Sequence, residues 1–216
     1  MTKEQIAAVL ADHARWLRGE SGNRANLARA SLARANLDGA SLVGASLDRA
    51  NLDGASLDGA NLDGASLDRA SLVGASLVGA SLARASLVGA NLDGANLDGA
   101  SLVGASLARA SLARANLVGA NLARASLDGA NLVGAKINND KTVIGVLRRA
   151  TRSDGYEFFL WHCEDGFYIK AGCRFFTLEE SRKHWKATRA GTPLGDETQD
   201  ILSMFAKAIK RWRDAP

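Results

Sequence analysis

Ala25-Asn26-Leu27-Ala28-Arg29-Ala30-Ser31-Leu32-Ala33-Arg34 opens a run in which the unit Ala-(Asn/Ser)-Leu-X-(Gly/Arg) is written 22 times without a break, ending at Gly134. The central leucines stand at Leu27, Leu32, Leu37 and onward in fives to Leu132, and a decayed unit, Ala135-Lys136-Ile137-Asn138-Asn139, closes the run. A period of five suits neither regular element. On a helix, leucines five apart advance about 140° each time and leave no apolar stripe. On a continuous strand, an odd period sends each successive leucine to the other side. Both conflicts vanish if the chain turns one corner per unit. Ala and Leu then share the inner side, Asn/Ser and X the outer side, and the fifth residue sits at the corner, where glycine tolerates unusual φ/ψ. Gly fills that corner in 14 units and Arg in the other 8, so glycine is preferred there without being obligatory. A chain that corners repeatedly with its leucines inward is an all-β solenoid, whose coils bury their leucines only together.

The unit resembles the A(D/N)LXX unit of the pentapeptide-repeat family, over the whole of 25–139. That resemblance implies a right-handed quadrilateral β-helix. The family often carries Asp before the leucine; here the position is always Asn or Ser. With four units per coil, residues twenty apart stack, and 22 units make about 5.5 coils, a rod of roughly 26 Å at about 4.8 Å per rung. Stacking places Arg29, Arg49, Arg69 and Arg109, with Asp48, Asp68 and Asp128, on the face of Leu27 to Leu127. Asp38, Asp58 and Asp98 fall on the opposite face, which has no arginine. Each face reads either as solvated mixed charge or as a candidate interaction face. X is only Asp, Val or Ala, a vocabulary that suits recent duplication of a few units or a simplified, engineered consensus-like sequence.

An open solenoid end exposes leucines and strand edges, so each end needs a cover. Thr2-Lys3-Glu4-Gln5 is a capping box. Ile6, Val9, Leu10, His13, Trp16 and Leu17 follow at helical spacing, and Gly19 is a stop signal. The pattern predicts a helix over 3–18 with Trp16 and Leu17 buried on the first coil and His13 packed rather than ligating. Members of the resembled family often carry a similar helix before the first unit.

The vocabulary changes at Lys136. Residues 142–176 read as a β-meander. Ser153-Asp154-Gly155-Tyr156 joins Val143–Thr151 to Glu157–Cys163, and Glu164-Asp165-Gly166-Phe167 joins that strand to Phe167–Phe175, each with Asp-Gly as a two-residue type I′ loop. The second loop then pairs Cys163 with Tyr168 and Phe158 with Cys173. Both faces of the meander are apolar, which predicts a sheet sandwiched between helices and the last coil. Thr177-Leu178-Glu179-Glu180 opens a helix to about Thr188, Gly191 to Gly195 reads as a loop, and Glu197 to Arg213 is a final helix. Its stripe of Ile201, Leu202, Phe205, Ala208, Ile209 and Trp212 reads first as core. The alternatives are a homodimer contact through Ile201, Phe205, Ile209 and Trp212 and, after it, a membrane-surface helix. The expected division is a helical cap at 1–24, the β-helix at 25–139, and a small α+β domain at 140–216. The run Ala171 to Glu180 resembles C-terminal appendages of bacterial and phage members of the family.

No nucleophile elbow, phosphate loop or metal-ligand spacing stands out, so no enzyme and no cofactor are expected. His162, Cys163, Cys173 and His184 are ligand types, but the expected register separates the cysteines and no Cys-x-x-Cys occurs, so neither a metal site nor a disulfide is read. Two cysteines and no recognisable leader or membrane span suit a cytoplasmic protein. The expected function is a non-catalytic structural or protein-interaction module, a capped rod presenting faces to an unidentified protein. The resemblance implies one alternative, since some family members bind DNA gyrase by imitating duplex DNA. Charge disfavours it: the repeat holds 8 Arg and 9 Asp, and the net charge of +4 comes chiefly from the C-terminal part.

Overall fold

The computed structural model describes residues 1–137, 141–171 and 174–214. Asn138 and Asn139, the expected boundary at 139/140, and Cys173 lie outside the described residues. Along the repeat, the second residue of each unit forms a parallel bridge to the residue twenty positions on, as in Asn26 with Ser46, Ser31 with Asn51, Asn36 with Ser56 and Ser41 with Asn61. Twenty residues, four units, therefore make one coil. The Leu27 N–H donates to the Ser46 carbonyl at 2.7 Å, the Arg29 N–H to the Asp48 carbonyl at 2.8 Å, and the Ser46 N–H to the Ala25 carbonyl at 3.0 Å. The Ala30 N–H returns to the Leu27 carbonyl at 3.0 Å and closes the corner. Leu42 to Leu117, and the unit-opening alanines from Ala45 to Ala120, are essentially without exposure. Burying one leucine side chain contributes about 2 kcal/mol, which is what offsets the entropy of ordering a coil that has no other interior.

The corner residue is left-handed whatever its identity. φ is 57–60° at the eight repeat arginines and 64° at Gly59 and Gly74. Glycine adopts this conformation freely, whereas a side chain costs about 1–2 kcal/mol. Arginine fits sterically because the corner points outward: nothing lies within 4 Å of a Cβ placed on Gly59, Gly74 or Gly79.

At the N-terminal end, α1 (Lys3–Leu17) starts with the expected reciprocal capping box between Thr2 and Gln5. Ile6, with Val9 and Leu10, joins the coil interior. His13 is fully buried and accepts the Ala25 N–H on Nδ1 at 3.1 Å, and the Met1 ammonium donates to the Ser31 carbonyl at 2.9 Å. Trp16 and Leu17 are 40% and 38% exposed, contrary to the sequence expectation. The chain reverses at Gly19 and runs back along the helix. Gly22 packs on the backbone at Asp12 and Trp16, and Asn23 donates to the Asp12 carboxylate. The last helical turn thus meets its own connection rather than the coil, and Trp16 stacks on His13 at 5.4 Å.

At the other end the solenoid continues into a sheet of order β1-β2-β3-β4-β5. Its strands are β1 (Lys136–Ile137), β2 (Lys141–Thr151), β3 (Glu157–Cys163), β4 (Gly166–Ala171) and β5 (Arg174–Phe176), followed by α2 (Leu178–Arg189) and α3 (Pro193–Arg213). β1 bridges in parallel to Asn116 below and antiparallel to β2 above, so β2 lies across one open edge as an extra, reversed rung. The two faces of the sheet have the predicted different neighbours. Phe159, Trp161 and Cys163 join the solenoid interior. Phe158, Leu160, Ile169 and Ala171 pack on Trp185, Ile201, Leu202, Phe205 and Ile209.

Three details differ from the sequence reading. Cys163 pairs with Gly166 and Phe158 with Ala171, so the second loop is Glu164-Asp165, not Asp165-Gly166. A shift by an even number leaves every side chain on its expected face. In the first hairpin Arg152 and Tyr156 are the closing backbone pair, and Gly155, at φ 79°, donates to the Arg152 carbonyl. This is a three-residue loop with Gly in the left-handed position; type I′ would need positive φ at Asp154 too. Finally, α3 starts at Pro193 rather than Glu197. Thr192 is its N-cap and Pro193 its first residue, a favoured start signal.

Candidate interaction surfaces

The outer face of each unit presents one backbone donor, the N–H of X, and in sixteen of the 22 units the repeat satisfies it in one of two ways. In all nine Asn units the Asn Oδ1 accepts the N–H of X in its own unit, as Asn61 does from Asp63 at 3.0 Å. In seven Ser units the acceptor comes from the coil before. Asp58 Oδ1, for example, takes the Val78 N–H at 2.9 Å and the Ser76 hydroxyl. Asp38, Asp48, Asp53, Asp63, Asp68 and Asp93 do the same. Asp98 is followed by Asn116 instead, and Asn116 donates to Asn96 rather than to the carboxylate.

This changes the meaning of the predicted faces. Asp38 and Asp58 stand where expected, twenty residues apart, but each carboxylate is occupied by a serine and a backbone N–H. Of the three acidic candidates, Asp98 alone stays outside that ladder among the described residues. On the other face Arg29, Arg49 and Arg69 occupy one corner on successive coils, and a shallow groove there is lined by Asp48, Arg49, Asp68, Arg69 and Val88. Arg109 lies two coils further, with Gly89 between. None of the eight repeat arginines enters an ion pair among the described residues. Asp128, on the same face, is used differently: it pairs with Arg149 of β2, which also holds the buried Glu157 through Nε at 2.5 Å.

The C-terminal cover is tied down by buried charge. Lys170, 1% exposed, donates to the Ala120 carbonyl at 3.2 Å, capping an acceptor that a further coil would have used. Arg152, 2% exposed, clasps Asp154 and donates to Thr198 Oγ1 at 3.0 Å. Its guanidinium lies over the rings of Tyr156, Phe158 and Trp185. Hydrogen bonding to Arg152 holds the Asp154 carboxyl below its usual range, and Lys141 does the same for Asp165.

The metal-ligand types do not converge. Cys163 faces the solenoid, where burial first and the Asp165 charge second push its thiol up to about 12, so it stays protonated. His162 faces the other way, stacked on Phe167, and His184 stacks on Phe176 with Arg174 at its Nε2. Among the described residues no three His, Cys, Asp or Glu are grouped to hold an ion, and no helix is long and apolar enough to cross a membrane. Ile201, Phe205 and Ile209 of the suggested dimer contact are covered by the chain's own sheet, which leaves Trp212 exposed.

Residues 25–64, 45–84, 65–104 and 105–139 match the pentapeptide repeats family, in eight copies overall. The chain belongs to the pentapeptide-repeat family. Its members form right-handed quadrilateral β-helices, in keeping with the twenty-residue coil and helices at both ends, and the match indicates no catalytic family. No curated protein matches this pentapeptide-repeat chain. Among solved structures it is similar to a pentapeptide repeat protein from the Arabidopsis thaliana thylakoid lumen, with 36% identity over 40% of this chain and 60% of that one and a TM-score of 0.39. A second similar structure is a pentapeptide repeat protein from the cyanobacterium Cyanothece 51142, with 39% identity over 44% and 61% and a TM-score of 0.35. A third is QnrB1, a plasmid-mediated fluoroquinolone resistance protein, with 20% identity over 53% and 67% and a TM-score of 0.35. The chain spans about three-fifths of the length of the first two relatives.

Proposed function

We propose that this protein is a non-catalytic interaction rod whose sides, not its ends, engage a partner protein. On this reading it divides into a cap at 1–24, a rod of about 5.5 coils at 25–139 and a capping domain at 140–216, and it works in the cytoplasm. The observation that carries the reading is the asymmetry of charge use. Most repeat aspartates are occupied by the ladder, whereas the repeat arginines meet no carboxylate. Arg29, Arg49 and Arg69, stacked on successive coils, form a basic row that fits an acidic protein surface.

Affinity capture with the intact protein and with R29E/R49E/R69E tests this. Proteins retained by the intact chain and lost with the triple variant support the row as a docking face. An identical set on both baits removes it. Imitation of DNA at gyrase is not adopted, because a duplex mimic needs a strongly acidic surface and here nine repeat aspartates are offset by eight arginines. Inhibition of gyrase supercoiling at micromolar protein would reverse that choice.

A further inference from the structure

The last two turns of α3 carry Lys207, Lys210, Arg211 and Arg213, with Asp214 as the one acidic neighbour in that stretch. None of the four cations enters an ion pair among the described residues. Between them Trp212 is 47% exposed, although it is held from below. Its ring meets His162 of β3 at 4.2 Å and, edge-on, Phe167 of β4 at 5.1 Å, while the Arg213 guanidinium lies over the same Phe167 ring at 5.6 Å. Beside the indole, Arg148, Ala208, Arg211 and Trp212 line a shallow cleft of about 240 Å³.

We propose that this cleft is a binding site for single-stranded nucleic acid, with one base stacked against Trp212 and Arg211 and the flanking phosphates on Lys207, Lys210 and Arg213. A positioned aromatic ring with Lys207, Lys210 and Arg213 beside it offers a face to an unstacked base and cations to its backbone. A membrane surface fits less well. It would need several apolar side chains around the tryptophan, and the apolar stripe of α3, Ile201, Phe205 and Ile209, is buried in the core.

The test is fluorescence anisotropy of a labelled oligo-dT 20-mer and its RNA counterpart with the full-length protein, at several salt concentrations. Binding should weaken with salt, with a log–log slope of about −2 for three phosphate contacts on a single strand. W212A should weaken binding about tenfold, and W212F should recover most of that loss. K210E/R211E changes exposed side chains outside the core; it should weaken binding at least about tenfold and flatten the salt slope. Four results would overturn the proposal. One is no binding at about 100 μM protein in low salt. Another is equal affinity for duplex DNA with no effect of W212A. The third is a loss with R49E/R69E as large as with K210E/R211E, which would place the contact on the rod. Preference for anionic phosphatidylglycerol vesicles over the oligonucleotide would assign the patch to membranes and count against it as well.

Discussion

At the scale of single residues, the small vocabulary of the repeat has a physical reading. Asn satisfies the N–H of X within its own unit, while Ser leaves that donor to an Asp from the coil before and gives its hydroxyl to the same carboxylate. Of the eight repeat aspartates followed by another repeat unit eighteen residues on, seven meet a serine there. Ser76→Ala should therefore lower stability by about 1 kcal/mol in urea unfolding, and Ser101→Ala, whose counterpart is Ala83, by close to nothing. Equal effects at the two sites would contradict the ladder. His13 gives a pH dependence of definite sign. Burial chiefly lowers its pKa below 6.5, with the Arg24 charge adding and the Val43 carbonyl opposing. The unfolded chain then binds the proton more readily than the native one. Stability should be full above pH about 6.5, fall as the pH drops through the lowered native value, and level off beneath it. The depressed carboxylates Asp154, Asp165 and Glu180 act in the same direction, at lower pH. Unfolding midpoints measured across pH 5–7 should show the slope in the intact protein and lose most of it in His13→Gln, with His184 supplying the remainder.

At the scale of elements, the parts readable in advance are those set by local chemistry. Both capping boxes, the inward leucines of the repeat and the inner and outer sets of the meander follow from side-chain type and spacing, whereas the twenty-residue coil length came from the family resemblance. What the chain did not disclose depends on partners far apart in sequence. Trp16 and Leu17 have the right helical phase for burial, yet the connection through Gly22 takes that side of α1. Thr192-Pro193 carried a readable helix start that two nearby glycines obscured. Gly195 sits inside the helix because a Cβ there would run into the Arg189 carbonyl. The Ser–Asp ladder needs the coil length before it can be read, since its partners are eighteen residues apart. Arg152 could not be foreseen as the staple between hairpin and helices, because its ring neighbours and Thr198 are brought together only by folding. Arg152→Ala should cost about 2 kcal/mol, since it removes the buried hydrogen bond to Thr198 and the ring contacts while Asp154 keeps access to water. Unfolding followed by the fluorescence of Trp161 and Trp185 would show it; a loss under about 1 kcal/mol would mean the rings and Thr198 repack without it.

At the scale of the whole molecule, the two ends and the sides present different surfaces. The first coil is met by α1, His13 and the Met1 ammonium. On the last coil, β2 covers one edge, Lys170 caps the Ala120 carbonyl, and Phe159 and Trp161 roof the interior. The apolar stripe of α3 is turned inward by the same sheet. The surfaces by which solenoids commonly stack end to end are thus covered within one chain, and the outward arginines remain as the feature that distinguishes one side from another. Sedimentation velocity across a hundredfold range of concentration tests that claim most directly. The intact protein should run as a single species of 22.6 kDa throughout. A shift toward twice that mass with rising concentration would show that an end or the α3 face is open to a second copy, and would contradict a rod that acts through its sides.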